Sequence, residues 1–208
     1  MFRKQRAKSL INAFVLCIFV FVGTAHAQSD SYKESIYQLG ILKARDSGPT
    51  LKVGDKAPGF SLPSLGGFKI QLSQYSDKKN VVISFIPAAW TPVCSEQWPE
   101  YNKAKDLFDK NDAVLIGISV DNTPTLYSWT KNMCGVDRTL WFPVLSDFHP
   151  HGAVAKKYGV LRSDGLSERA LFVIDKKGII RLIDVHDINE KPPIKDLVRA
   201  LEEVNNPE

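Results

Sequence analysis

Cys94 is preceded at a distance of three by Thr91 and followed by Ser95, Glu96 and Gln97. It stands just after the apolar run Asn80–Ile86 and at the entry to a segment whose apolar residues Trp98, Tyr101, Ala104, Leu107 and Phe108 recur at helical spacing. A thiol in the first turn of a helix meets unpaired backbone amides and the positive end of the helix dipole. Both stabilise a thiolate, the nucleophilic form of the group. The polar residues around Cys94 count against the alternative, a small buried hydrophobe. Cys134 is the other cysteine beyond the N-terminal leader described below, and Cys17 lies within that leader. Two cysteines in an exported chain serve either as a structural staple or as a working redox pair, and their separation along the chain does not choose between these. Asp147, His149 and His151 form one edge of a metal-like cluster but bring no further ligands, so no metal is expected. No resident cofactor is expected either: there is no phosphate-cradling glycine loop, nucleotide fingerprint or hydrolase nucleophile elbow.

These residues need elements to position them. Ser31–Arg45, with Asp30 as cap and Tyr32, Ile36, Tyr37, Leu39 and Ile41 as an apolar set, predicts a helix ended by Asp46-Ser47-Gly48-Pro49. Phe60–Leu62 and Phe68–Leu72 alternate around Gly66-Gly67 and predict a hairpin. Asn80–Ile86 and Ala113–Ser119 read as strands buried on both faces. Helices are expected over Gln97–Asn111, kinked at Pro99 if continuous with the Cys94 turn, and over Thr125–Met133, with Pro124 in the first turn. Trp141–Val144 reads as a short strand and Gly152–Tyr158 as a short helix. Ala170–Asp175 and Gly178–Ile183 read as strands around Lys176-Lys177-Gly178, and Pro193–Val204 as a closing helix. Strand and helix alternate through the centre and a hairpin follows late, which predicts an α/β sandwich with a mixed sheet.

The first residues read separately. Arg3, Lys4, Arg6 and Lys8 precede the apolar run Leu10–Gly23, and Thr24-Ala25-His26-Ala27 closes it. This is the pattern of a secretory signal cleaved after Ala27. A retained anchor is the alternative, but the run spans only about 21 Å as a helix against about 30 Å of hydrocarbon. A lipoprotein site at Cys17 is disfavoured by Leu16 before it. The expected layout is a signal over 1–27, a helical extension over 28–50 and the main domain over 51–208. Four of the 27 Lys and Arg lie in the leader, which leaves 23 against 23 Asp and Glu beyond it. The apparent basicity therefore belongs to the export signal. No nucleic-acid partner is expected, and the processed chain is expected in the periplasm or secreted, not bound to membrane.

Two resemblances bear on Cys94. Trp90-Thr91-Pro92-Val93-Cys94 looks like a thioredoxin active site whose first cysteine is replaced by Thr91, and threonine cannot resolve a mixed disulfide. Pro87-Ala88-Ala89-Trp90-Thr91-Pro92-Val93-Cys94 resembles more fully the peroxiredoxin motif of Pro, three residues, Thr, two residues, Cys. Val53–Leu62 is similar to that family's entry segment, and Arg169 before Ala170–Asp175 to its active-site arginine. Ser146–Val154 with Tyr158-Gly159-Val160 looks most like the AhpE-like one-cysteine group of the AhpC/TSA superfamily, with some features of the bacterioferritin-comigratory group. The resemblance implies a thioredoxin-like fold with a mixed central sheet flanked by helices and an N-terminal hairpin. It implies a peroxidase in which Cys94 attacks hydrogen peroxide or an organic hydroperoxide, Thr91 orients it, and Arg169 favours the thiolate and stabilises developing charge. Pro87, with Pro92, would shape the pocket and Gln97 would support the arginine. Trp90 reads equally as pocket wall or core.

The resulting sulfenic acid needs a second thiol. Cys134 is the internal candidate for resolving it; an external thiol or thioredoxin-like reductant is the other. The resemblance leaves monomer and homodimer both open. The competing function is an exported thioredoxin-like thiol-disulfide oxidoreductase, which would exchange disulfides without consuming peroxide through Cys94.

Overall fold

The structure is a computed structural model that describes residues 31–134 and 139–205. The expected leader, 1–27, lies outside the described residues. The centre is β3 (Asn80–Phe85), buried at every position. β4 (Ala113–Ser119) runs parallel to it, from Asn80 opposite Ala113 to Phe85 opposite Ile118, and β5 (Val144–Ser146) continues in parallel beyond β4. On the other side β6 (Arg169–Ile174) is antiparallel to β3, and β7 (Ile180–His186) is antiparallel to β6. The order β5-β4-β3-β6-β7 is the expected mixed sheet. The expected hairpin is present as well, with β1 (Ser61–Pro63) paired antiparallel to β2 (Lys69–Gln71).

The apolar runs follow from burial on both faces. Val81, Ile83 and Phe85 enter one cluster with Phe60, Leu62, Tyr158 and Phe172. Ser84, pointing the other way, receives a hydrogen bond from the Trp98 indole at 3.2 Å. Trp98 belongs to α1 (Pro92–Lys103), and its ring lies 5.2 Å from Trp129 on α3 (Thr123–Cys134). Gly117 of β4 allows this docking: a Cβ there would sit 2.6 Å from Cζ2 of Trp98. α2 (Lys105–Lys110), α4 (Ala153–Lys157) and α5 (Ile194–Asn205) are further helices.

Several expectations need correction. The helix expected to begin at Gln97 begins at Pro92, which loses nothing in a first turn where amides have no partner. It runs through Pro99 and breaks at Ala104, where α1 gives way to α2. The expected strand 141–144 is displaced to β5 because Trp141 and Phe142 are used as packing groups, Phe142 against Trp98 and Trp141 against Phe108. The helical extension expected over Ser31–Arg45 is helical only over 31–34 among the described residues. Its apolar residues do not form one buried face: Tyr37 is 68% exposed and Ile41 94%, while Tyr32, Ile36 and Leu39 are half-buried. Gly40 adopts φ +72°, outside the helical region, and the backbone from Tyr37 to Ser47 bonds to the domain instead of to itself.

The histidine loop has a folding role. Asp147 accepts amide bonds from Val154 at 3.0 Å and Ala155 at 2.8 Å, while burial pushes its carboxyl above the usual range against the pull of those amides. The ring of His151 bonds the Gly165 carbonyl at 2.8 Å. Among the described residues no group of three or more His, Cys, Asp or Glu is placed to hold a metal. No helix among them is long and apolar enough to cross a membrane.

Candidate active site

The antiparallel pairing that sets Ala170 opposite Phe85 brings the first residue of β6, Arg169, to the end of β3 where the chain leaves the sheet toward Cys94. Two side chains fasten that exit loop. The Ala89 amide donates to Asp121 at 2.8 Å, and the Ser167 hydroxyl donates to the Ile86 carbonyl at 2.6 Å. Trp90 takes φ +61°, and Thr91 returns to extended backbone as the residue before α1. The Thr91 carbonyl accepts the Ser95 amide at 3.0 Å, which opens the helix. Its hydroxyl donates to the Ala88 carbonyl at 2.9 Å and caps no amide, so the oxygen keeps acceptor capacity. Cys94 consequently stands in the first turn of α1.

Cys94 is fully buried, and both terminal nitrogens of Arg169 lie 3.6 Å from its sulfur. The guanidinium is fixed from the other side. Nε and Nη2 donate to the Ile188 carbonyl at 3.1 and 2.9 Å, and Nη1 donates to Gln97 Oε1 at 2.6 Å. None of these partners is a carboxylate, so the positive charge facing the sulfur is not neutralised by the groups that hold it. Gln97 is oriented in turn by donating from Nε2 to the Tyr101 hydroxyl at 3.2 Å and toward Ser84 at 3.4 Å. Burial pushes the Tyr101 phenol well above its ordinary value, which keeps it neutral beside the arginine.

A cavity of about 270 Å³ adjoins this site, lined by Pro87, Thr91, Pro92, Val93 and Arg169 together with residues 38–42. A larger cavity of about 420 Å³ lies elsewhere, among Phe68, Tyr127 and Trp141. No cysteine, histidine or carboxylate lines it, so it offers no comparable chemistry.

The structure thus brings together Cys94, Thr91, Arg169, Pro87 and Gln97. Trp90 is half-buried and lines neither the cavity nor the core; its carbonyl accepts the Tyr37 amide at 2.7 Å. Cys134 is in the last turn of α3 and both thiols are free. α3 touches the site through Trp129, whose indole donates to Ser95 Oγ at 3.2 Å, and Cys134 lies five residues further on, about 7.5 Å along the axis. Sequence reasoning missed the Ile188 carbonyl, which leaves no mark in a residue pattern, and the segment 38–42. It also counted Tyr101 as apolar; its spacing of four from Gln97 was the available signal.

The model of the AhpC/TSA family matches residues 53–183. Alkyl hydroperoxide reductase E of Mycobacterium tuberculosis is 35% identical over 141 residues, covering 67% of this chain and 89% of that protein. The chloroplastic 2-cysteine peroxiredoxin of Chattonella marina var. antiqua is 30% identical over 164 residues, covering 74% and 81%. Among solved structures, Mycobacterium tuberculosis AhpC has a TM-score of 0.68 at 25% identity, covering 77% of this chain and 96% of its own. The fold is thioredoxin-like. Likeness to a two-cysteine protein in sequence and to AhpC in structure corrects the narrower expectation: what is supported is the AhpC and two-cysteine type, not the AhpE-like one-cysteine group. The loop Ser146–Val154 that suggested that group serves the start of α4 through Asp147, a folding role that distinguishes no mode of recycling. With the family model spanning most of the chain and the thiol, threonine and arginine at one sheet end, the chain belongs to the AhpC/TSA family of peroxiredoxins, whose general activity is thiol-based peroxide reduction.

Proposed function

We propose that this protein reduces hydrogen peroxide or organic hydroperoxides through Cys94. The sulfur attacks one peroxide oxygen, the S–O bond forms as the O–O bond breaks, and the other oxygen leaves as water or an alcohol after taking a proton. Cys94 is left as a sulfenic acid, oxidised by two electrons. Arg169 faces both the sulfur and the oxygen on which charge develops, Thr91 orients the peroxide through its hydroxyl, and Pro87 shields the pocket. Gln97 holds Arg169 in place. The observation that carries this reading is the Arg169 guanidinium with both terminal nitrogens 3.6 Å from a buried sulfur in the first turn of a helix. Positive charge there opposes none of the reaction's charges and stabilises those that form.

A thiol returns the sulfenic acid by forming a disulfide and releasing water, and a further thiol reduces that disulfide. We assign the first role to Cys134 or to an external thiol, with a thioredoxin-like protein as reductant. The electrons come from thiols, so the reaction calls on no resident cofactor or metal. Stopped-flow oxidation followed by intact-mass measurement tests the scheme. Peroxide should react rapidly with wild type and Cys134→Ser, and at least about 1,000-fold more slowly with Cys94→Ser, as expected when a nucleophile is lost. Loss of two protons in wild type, replaced by one added oxygen in Cys134→Ser, assigns the internal route; one added oxygen in both assigns the external one. Disulfide exchange without Cys94-dependent peroxide consumption would overturn the peroxidase reading in favour of a thiol-disulfide oxidoreductase.

We further propose that residues 1–27 direct export and are removed after Ala27, which delivers residues 28–208 to the periplasm or beyond, free of membrane, as monomer or homodimer. N-terminal sequencing of the exported protein should begin at Gln28.

A further inference from the structure

Residues 37–47 precede the span of the family model, which begins at residue 53, yet they are bonded into the site. The Tyr37 amide donates to the Trp90 carbonyl at 2.7 Å, beside Thr91. The Asn189 side chain brackets Leu42, accepting from its amide and donating to its carbonyl, both at 2.9 Å. The Ile188 amide donates to the Ala44 carbonyl at 3.1 Å, while the carbonyl of the same residue holds Arg169. Further along, fully buried Glu168 accepts the amides of Asp46 and Ser47 on one oxygen, at 2.7 and 2.6 Å, and Arg162 on the other, at 2.9 Å. The segment is a latched strap that forms part of the wall of the cavity that Arg169 also lines.

Most of what the strap adds to that cavity is apolar. Leu39, Ile41 and Leu42 line it beside the polar Gln38, together with Val93 and Ile188. Ile41 is 94% exposed at the rim, an aliphatic side chain that the fold itself leaves in water. Hydrogen peroxide has no group to set against such a wall, whereas the carbon substituent of an organic hydroperoxide does. We propose that the strap is a specificity-determining element that binds the apolar substituent of organic hydroperoxides and raises their reactivity relative to hydrogen peroxide. This rests on the reading of Cys94 as the peroxide-reactive thiol. With the O–O group between Arg169 and Thr91, the substituent points outward along the strap, and the apolar surface that the two cover is removed from water.

The measurement is the second-order rate constant for Cys94 oxidation by tert-butyl hydroperoxide divided by that for hydrogen peroxide, taken on the leader-free protein by stopped flow. In Leu39→Ser/Ile41→Ser this ratio should fall about tenfold, the lower end of what a hydrocarbon contact contributes to discrimination. The single variant Ile41→Ser, whose side chain is already in solvent and so carries no folding risk, should lower it by more than about twofold, a fraction of the same discrimination. A ratio unchanged or raised in both variants overturns the proposal, a rise meaning that the strap excludes larger peroxides. If wild type reacts with neither peroxide through Cys94, the peroxidase reading itself fails; if it reacts and the ratio does not fall, only the strap's role does.

Discussion

The two cysteines of the domain occupy opposite ends of neighbouring helices. Cys94 stands in the first turn of α1, fully buried, with the two terminal nitrogens of Arg169 against its sulfur. Cys134 stands in the last turn of α3, half-buried, where burial pushes the thiol above its ordinary range and Lys131 only partly opposes that. A helix start favours negative charge and a helix end disfavours it, so even the dipoles act in opposite senses. Burial is common to both sulfurs, so it is not what sets them apart. The difference lies in what replaces water around the sulfur: a guanidinium against Cys94, and at Cys134 only the partial opposition of Lys131 to burial.

Removing that guanidinium is the most direct way to erase the difference. In Arg169→Met the rate constant of Cys94 with hydrogen peroxide should fall by about two to three orders of magnitude, comparable to losing a donor aimed at developing charge. Arg169→Lys keeps the charge but not the fork that reaches Ile188, Gln97 and the sulfur together, and should recover only part of the loss. Stopped-flow oxidation checks both. A fall of less than about threefold in Arg169→Met would mean that something other than the arginine sets Cys94 apart.

A finer version keeps the arginine and loosens it. Gln97 supplies the acceptor for Nη1 at 2.6 Å, so Gln97→Leu should lower the same rate constant about tenfold, the equivalent of one hydrogen bond to a charged group. Gln97→Glu keeps an acceptor but sets a carboxylate against the guanidinium, so it should recover the rate only in part. Parallel losses in both variants would mark Gln97 as a packing residue rather than a positioning one.

How much of this was legible in the sequence depended on what each feature is made of. Strands buried at nearly every position, such as Ala113–Ser119, announce themselves, because a run covered on both faces is predominantly apolar. Cys94, Thr91 and Arg169 were legible because side-chain chemistry at fixed spacing survives as residue identity. The strap was not: Tyr32, Ile36, Tyr37, Leu39 and Ile41 mimic a helical face, and tertiary bonds, among them those from Trp90, Asn189, Ile188 and Glu168, hold the backbone from Tyr37 on in another form. The Ile188 carbonyl that anchors Arg169 is invisible for a related reason, since every residue has one.

The smallest expected effect concerns Cys134 and tests the other half of the contrast. Burial favours the neutral thiol, so the folded protein should hold this proton to higher pH than the unfolded chain does. By linkage, the stability that this preference contributes is present below the unfolded value and is lost as pH rises through the folded one, when both states have released the proton. In Cys94→Ser, which leaves Cys134 as the thiol to label in the leader-free protein, the pH midpoint of iodoacetamide labelling should therefore lie above the midpoint in urea. Comparing midpoints, not absolute rates, separates ionisation from accessibility. Lys131→Gln should move the folded midpoint further up by removing the cation that opposes burial, while the urea midpoint stays nearly fixed. A folded midpoint at or below that of the unfolded chain would mean that Cys134 has an anion-stabilising environment of its own, and the contrast between the two thiols would become one of degree.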